Sequence, residues 1–131
     1  MTICIIPSRQ GSKRLKNKNI IDFYGKPIIY YPIEESKKTK IFSNIYVSTD
    51  SNKIKKISEN FGAKTLNLRT KKYSDDYTNV KEVLVDYILS NNLKDEKYFC
   101  CIYPTSVLIT SHMIKKAFSK LHLITTISVV V

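Results

Sequence analysis

The chain has 131 residues, 43% of them apolar, which is enough for one domain with a hydrophobic core and excludes a disordered polymer. Twenty-two Lys and Arg against eleven Asp and Glu give a net charge of +11, which favours an anionic partner. Only three of those cations are Arg, so the place where charge concentrates says more than the total.

The first element, "TICIIP", is a short continuous apolar run, the mark of a strand buried on both faces. A basic loop follows: five cations lie between Arg9 and Lys18, with no acid until Asp22. "GKPIIYYPIEESKKTK" has Gly25 and Pro27 as start signals and a polar tail, and predicts a helix despite Pro32. "NIYVSTD" is a second strand, with Asp50 or Ser51 as cap of the helix "SNKIKKISENFG". "AKTLNLR" is a third strand. After the polar connection "TKKYSDDYT", the helix "TNVKEVLVDYILSN" carries Val80, Val83, Leu84, Tyr87 and Ile88 on one face. "YFCCIYP" is a fourth strand, "TSHMIKKAFSKL" a helix capped by Thr110 or Ser111, and "TTISVVV" a fifth strand.

Strands alternating with helices of this length predict right-handed βαβ units on a largely parallel sheet. Ligands of such sheets bind beyond the carboxyl ends of the strands. The loops to consider are therefore 9–19, 49–50, 69–78 and 104–110. One domain, 1–131, is expected. "ISVVV" ends in mid-strand without a cap, so the chain is expected to be cut short.

Cys4, Cys100 and Cys101 sit in apolar runs without metal-ligand spacing, which argues against a secreted disulfide framework and for buried thiols in a reducing cytoplasm. Thr2 leads straight into a strand and Arg9 breaks the apolar run, so neither a signal peptide nor a membrane span is expected.

Two phosphate fingerprints fail in the basic loop. Gly11 stands alone, whereas a P-loop needs a second Gly before its Lys and a dinucleotide loop needs three. What remains is "SRQGSKR", a turn with neutral donors from Ser8, Gln10 and Ser12 and charge from Arg9, Lys13 and Arg14. Guanidinium groups grip phosphate oxygens in pairs, and lysines add mobile charge. The residues alone leave three readings open: a phosphate site, a solvated loop, or an RNA contact. The last lacks a recognisable motif and interleaved aromatics, so nucleic acid is not the expected partner.

"IIPSRQGSKRLKNKNI", with "F.GKPII", "IYVSTDS", "FGA", "LR" and "YPTS" in that order, closely resembles the cytidylyltransferases that activate nonulosonic acids, the acylneuraminate enzymes and their bacterial relatives. "IIDFYGKPIIYYPIEESKKTKIF", "LNLR" and "CCIYPTS" look most like the pseudaminic acid branch. The resemblance implies a Rossmann-like three-layer α/β/α nucleotidyltransferase domain. It also implies transfer of CMP from CTP to a nine-carbon acidic sugar, with release of pyrophosphate and with Mg²⁺ as cofactor. By motif, Arg9 and Lys18 are the catalytic cations on the triphosphate, and Ser12, Lys13 and Asn19 line the same loop. Pro7 and Ser8 lie beside the cytosine, Arg69 meets the base, and Asp76 and Thr78 belong to a segment closing over the nucleotide. Tyr103 stands where acylneuraminate enzymes carry a Gln facing the sugar, a departure that favours pseudaminic acid. The family's metal-binding aspartates and dimerisation element lie beyond the positions matched here. The chain is therefore expected to bind CTP weakly and to turn over poorly alone.

Overall fold

A computed structural model of the protein describes residues 2–11, 14–75 and 78–121. The strand β1, Thr2–Pro7, lies at the centre of a three-stranded parallel sheet. Its partners are β4, Asn44–Ser48, and β5, Tyr98–Cys101, with Cys4 facing Ile45 on one side and Cys100 on the other. The uninterrupted apolar run explains that position, because both faces of β1 are covered. Cys4 and Ile6 pack with Ile29, Ile33, Ile54, Ile102 and Ile114, while Ile3 and Ile5 pack with Tyr46 and Tyr87. The expected Rossmann-like α/β/α layering is thus present. The helices α1 (Tyr30–Thr39), α2 (Asn52–Asn60) and α4 (Ser111–Leu121) supply the first cluster, and α3 (Val80–Ser90) covers the other face.

Local chemistry sets the helix ends. Asn79 caps α3 in a reciprocal capping box with Glu82. Ser51, and not Asp50, caps α2 by accepting the Ile54 N–H at 3.3 Å. Thr110 caps α4 through the Met113 N–H, and Glu35 of α1 accepts the Ser111 N–H at 2.7 Å, tying the two helices together. Pro32 is tolerated in α1 because it occupies the first turn, where its missing N–H has no intrahelical partner.

Two expectations need correction. The helix predicted from Gly25 begins at Tyr30, and the residues before it form a two-stranded hairpin, β2 (Asp22–Phe23) and β3 (Lys26–Pro27). The turn residues Tyr24 and Gly25 both have positive φ, 50° and 82°, the requirement of a tight hairpin turn; Gly25 meets it without strain. The third strand reduces to one parallel bridge between Lys64 and Tyr46, made by Lys64 N–H to the Ile45 carbonyl and Val47 N–H to the Lys64 carbonyl. Beyond it, Asn67 donates from its amide and side chain to Asn91 Oδ1, which draws the chain to the end of α3 and off the ladder. The predicted fifth strand lies outside the described residues.

Burial pushes the Tyr87 phenol from 10.0 up to about 12. A group whose folded pKa is raised stabilises the fold fully below its unfolded pKa, and that contribution is lost as pH rises through the folded value. Urea titrations should therefore show stability falling between about pH 10 and 12. Tyr87→Phe should reduce that fall; an unchanged alkaline slope would show that Tyr87 does not drive it.

Candidate functional site

The tip of β4 gathers the polar residues at the carboxyl end of the sheet. Ser8 N–H, the first after β1, donates to the Ser48 carbonyl at 2.8 Å. The same carbonyl accepts Arg69 Nη2 at 2.6 Å, and Ser48 Oγ accepts Arg69 Nε at 3.3 Å. Arg69 N–H donates to the Thr49 carbonyl, and Arg69 Nη1 reaches the Tyr73 carbonyl at 3.2 Å. Asp50 Oδ1 accepts the Gln10 N–H at 2.8 Å. Asn19, in a 3₁₀ turn at Lys18–Ile20, donates from Nδ2 to the Arg9 carbonyl at 2.9 Å.

Four charges interact here. Burial lowers the proton affinity of the Arg69 guanidinium, Asp50 and Asp86 raise it again, and Arg9 lowers it. An arginine begins so far above neutrality that the group stays charged. Two guanidiniums thus share one end of the sheet, with Asp50 as a counter-charge.

Two buried polar atoms in this group have no hydrogen-bond partner among the described residues: Ser8 Oγ on a fully buried residue and Asn19 Oδ1 on one 5% exposed. Both residues adjoin Arg9, one by sequence and one through its carbonyl.

The sequence-predicted residues separate by place. Pro7, Ser8, Arg9, Asn19 and Arg69 are joined through this end of the sheet. Lys18 opens the 3₁₀ turn and is half-buried. Thr78 is committed to its own loop: its N–H donates to Asp75 Oδ1 at 2.7 Å, and its hydroxyl lies 2.7 Å from that oxygen and 3.0 Å from the Lys72 carbonyl. Tyr103 follows β5 and is 39% exposed. Ser12, Lys13 and Asp76 lie outside the described residues. Ser48 was not singled out from the sequence; its only signal was its position at the end of a strand in "YVSTD".

Among the described residues no group of three or more His, Cys, Asp or Glu is placed to hold a metal ion. None of the described helices is long and apolar enough to cross a membrane. An apolar cavity of about 340 Å³ between β5 and α4, lined by residues including Tyr98, Cys100, Met113 and Phe118, shares no residue with the charged group.

The family profile described as Cytidylyltransferase matches residues 3–124. A Helicobacter pylori protein named as pseudaminic acid cytidylyltransferase and UDP-2,4-diacetamido-2,4,6-trideoxy-beta-L-altropyranose hydrolase is 42% identical over 92% of this chain and 23% of its own length. A Campylobacter jejuni pseudaminic acid cytidylyltransferase is 39% identical over 90% of this chain and 52% of its own length. The chain therefore spans about a quarter to a half of the relatives it matches. A CMP:2-keto-3-deoxy-manno-octonic acid synthetase, solved complexed with CTP, superposes with a TM-score of 0.79 over 96% of this chain and 49% of that one. At 20% identity, that likeness concerns the fold.

Arg69→Lys should cost about 1.5–3 kcal/mol, since one ammonium cannot replace a planar fork serving Ser48 and Tyr73 together. Urea denaturation checks this; a loss below about 0.5 kcal/mol would mean that the bracket contributes little to the fold.

Proposed function

This chain belongs to the cytidylyltransferase family, and on that premise we propose that it forms the nucleotide-binding part of an enzyme transferring CMP from CTP to a nonulosonic acid, with release of pyrophosphate. The sugar we infer is pseudaminic acid, supported by the names of the relatives at 42% and 39% identity. The setting we infer is the cytoplasm, where nucleoside triphosphates are made.

The observation that carries this reading is the convergence of the Arg9 loop and the Arg69 guanidinium on Ser48 at the carboxyl end of the sheet, where two buried atoms, Ser8 Oγ and Asn19 Oδ1, lack a partner among the described residues. Leaving such a group unsatisfied costs about 1–3 kcal/mol. A ligand bringing hydroxyl, amino and phosphate groups together would offset that cost while meeting the guanidiniums.

In this reading Arg9 grips triphosphate oxygens in pairs, Lys18 adds a mobile charge, and Ser12, Lys13 and Asn19 line the loop. The backbone of Pro7 and Ser8 lies beside the cytosine, and Arg69 is held ready for the base by Ser48. Asp76 and Thr78 border the nucleotide, and Tyr103 faces the sugar. The anomeric hydroxyl of the sugar attacks the α-phosphorus in line and gives up its proton to solvent, while the bond from that phosphorus to the pyrophosphate oxygen breaks and pyrophosphate leaves. Cations on the leaving oxygens stabilise the charge that develops there. Bound Mg²⁺ would add counter-charge on the triphosphate oxygens.

Calorimetric titration with CTP should show weak but saturable binding, and pyrophosphate release by this chain alone should be slow and should require the sugar acid. Absence of CTP binding would overturn the reading. Arg9→Ala should weaken CTP affinity by about 1.5–3 kcal/mol, the range for a charge-assisted hydrogen bond; unchanged affinity would remove Arg9 from the site.

A further inference from the structure

We propose that Asp50 is a positioning residue: its carboxylate fixes the loop after β1 through the Gln10 amide and thereby sets where Arg9 presents its guanidinium to the nucleotide. The inference rests on the CTP-binding reading.

Three successive residues leaving β1 are each held by a different group. Ser8 N–H is fixed on the Ser48 carbonyl, the Arg9 carbonyl on Asn19 Nδ2, and Gln10 N–H on Asp50 Oδ1. The first bond holds the peptide between Pro7 and Ser8, and the other two hold opposite edges of the single planar peptide between Arg9 and Gln10. Asn19 fixes its carbonyl and Asp50 its N–H, so Asp50 completes the clamp that sets the plane of that peptide and with it the direction in which the Arg9 side chain departs. Sterics do not do this work, since Gln10 is exposed and a Cβ added at Gly11 would meet nothing within 4 Å. Among the described residues, Asp50 supplies the last tether before that glycine.

Asp50 is not occupied elsewhere in the way its sequence position suggests. It precedes α2, yet Ser51 makes the cap. Its charge also has a local use, since it attracts Arg69 while Arg9 repels it. For ligand binding, however, that negative charge works against a triphosphate. The contribution to binding is therefore the accepted hydrogen bond, which an asparagine oxygen supplies equally well.

CTP titrations of the full chain, with ¹⁵N-resolved exchange of the Gln10 amide, separate the cases. Asp50→Ala should weaken CTP binding about tenfold and speed Gln10 exchange. Asp50→Asn should keep the amide protected and bind CTP within about threefold of the original chain, or more tightly. CTP affinity unchanged in Asp50→Ala, or equally weakened in both variants, would overturn the positioning role. If the unmodified chain binds no CTP, the nucleotide reading fails by itself, and the Gln10 amide alone decides whether Asp50 holds the loop. An amide that does not respond to Asp50→Ala refutes that as well.

Discussion

The carbonyl of Ser48 accepts two hydrogen bonds, one from the backbone leaving β1 and one from the Arg69 guanidinium. That oxygen joins the loop after β1 to the side chain of Arg69. Because Pro7 and Ser48 are register partners, the chain leaving β1 must pass the end of β4. Because Arg69 is anchored by its own N–H on Thr49, its side chain folds back onto the same place. Two cations from distant parts of the chain therefore share one small region without being neighbours in sequence.

Charge at this end is managed locally. Burial and the neighbouring Arg9 both disfavour the charged form of Arg69, and Asp50 and Asp86 offset part of that cost. Neutral acceptors do the rest, since Ser48 and Tyr73 supply oxygens to the guanidinium without adding charge. Such an arrangement keeps positive potential available to an anion, whereas full salt bridging would cancel it. The net charge of +11 is a background to this feature and not its cause.

The apolar scaffold and the polar end are separable in physical terms. Cys4 and Ile6 belong to one cluster and Ile3 and Ile5 to the other, and together they hold β1 in the sheet centre. The three free thiols belong to this scaffold: Cys4 is buried against Ser36, and burial raises Cys4 and Cys101 above the usual thiol range. Polar requirements start only at Ser8, where β1 ends.

The sequence alone determined what depends on local patterns. The continuous apolar run required a strand covered on both faces, and the ordered motifs around Arg9, Asn19 and Arg69 marked the family. Local patterns also misled: Gly25 and Pro27 served a hairpin instead of a helix start, because two positive-φ residues close a turn there. Only the tertiary structure decided that Asp50 holds Gln10 and leaves the helix cap to Ser51, and that Ser48 carries Arg69. Those pairs are 40 and 21 residues apart, and no periodicity along the chain encodes them. Parallel register brings the ends of β1 and β4 side by side, and that juxtaposition exists only once the sheet has formed.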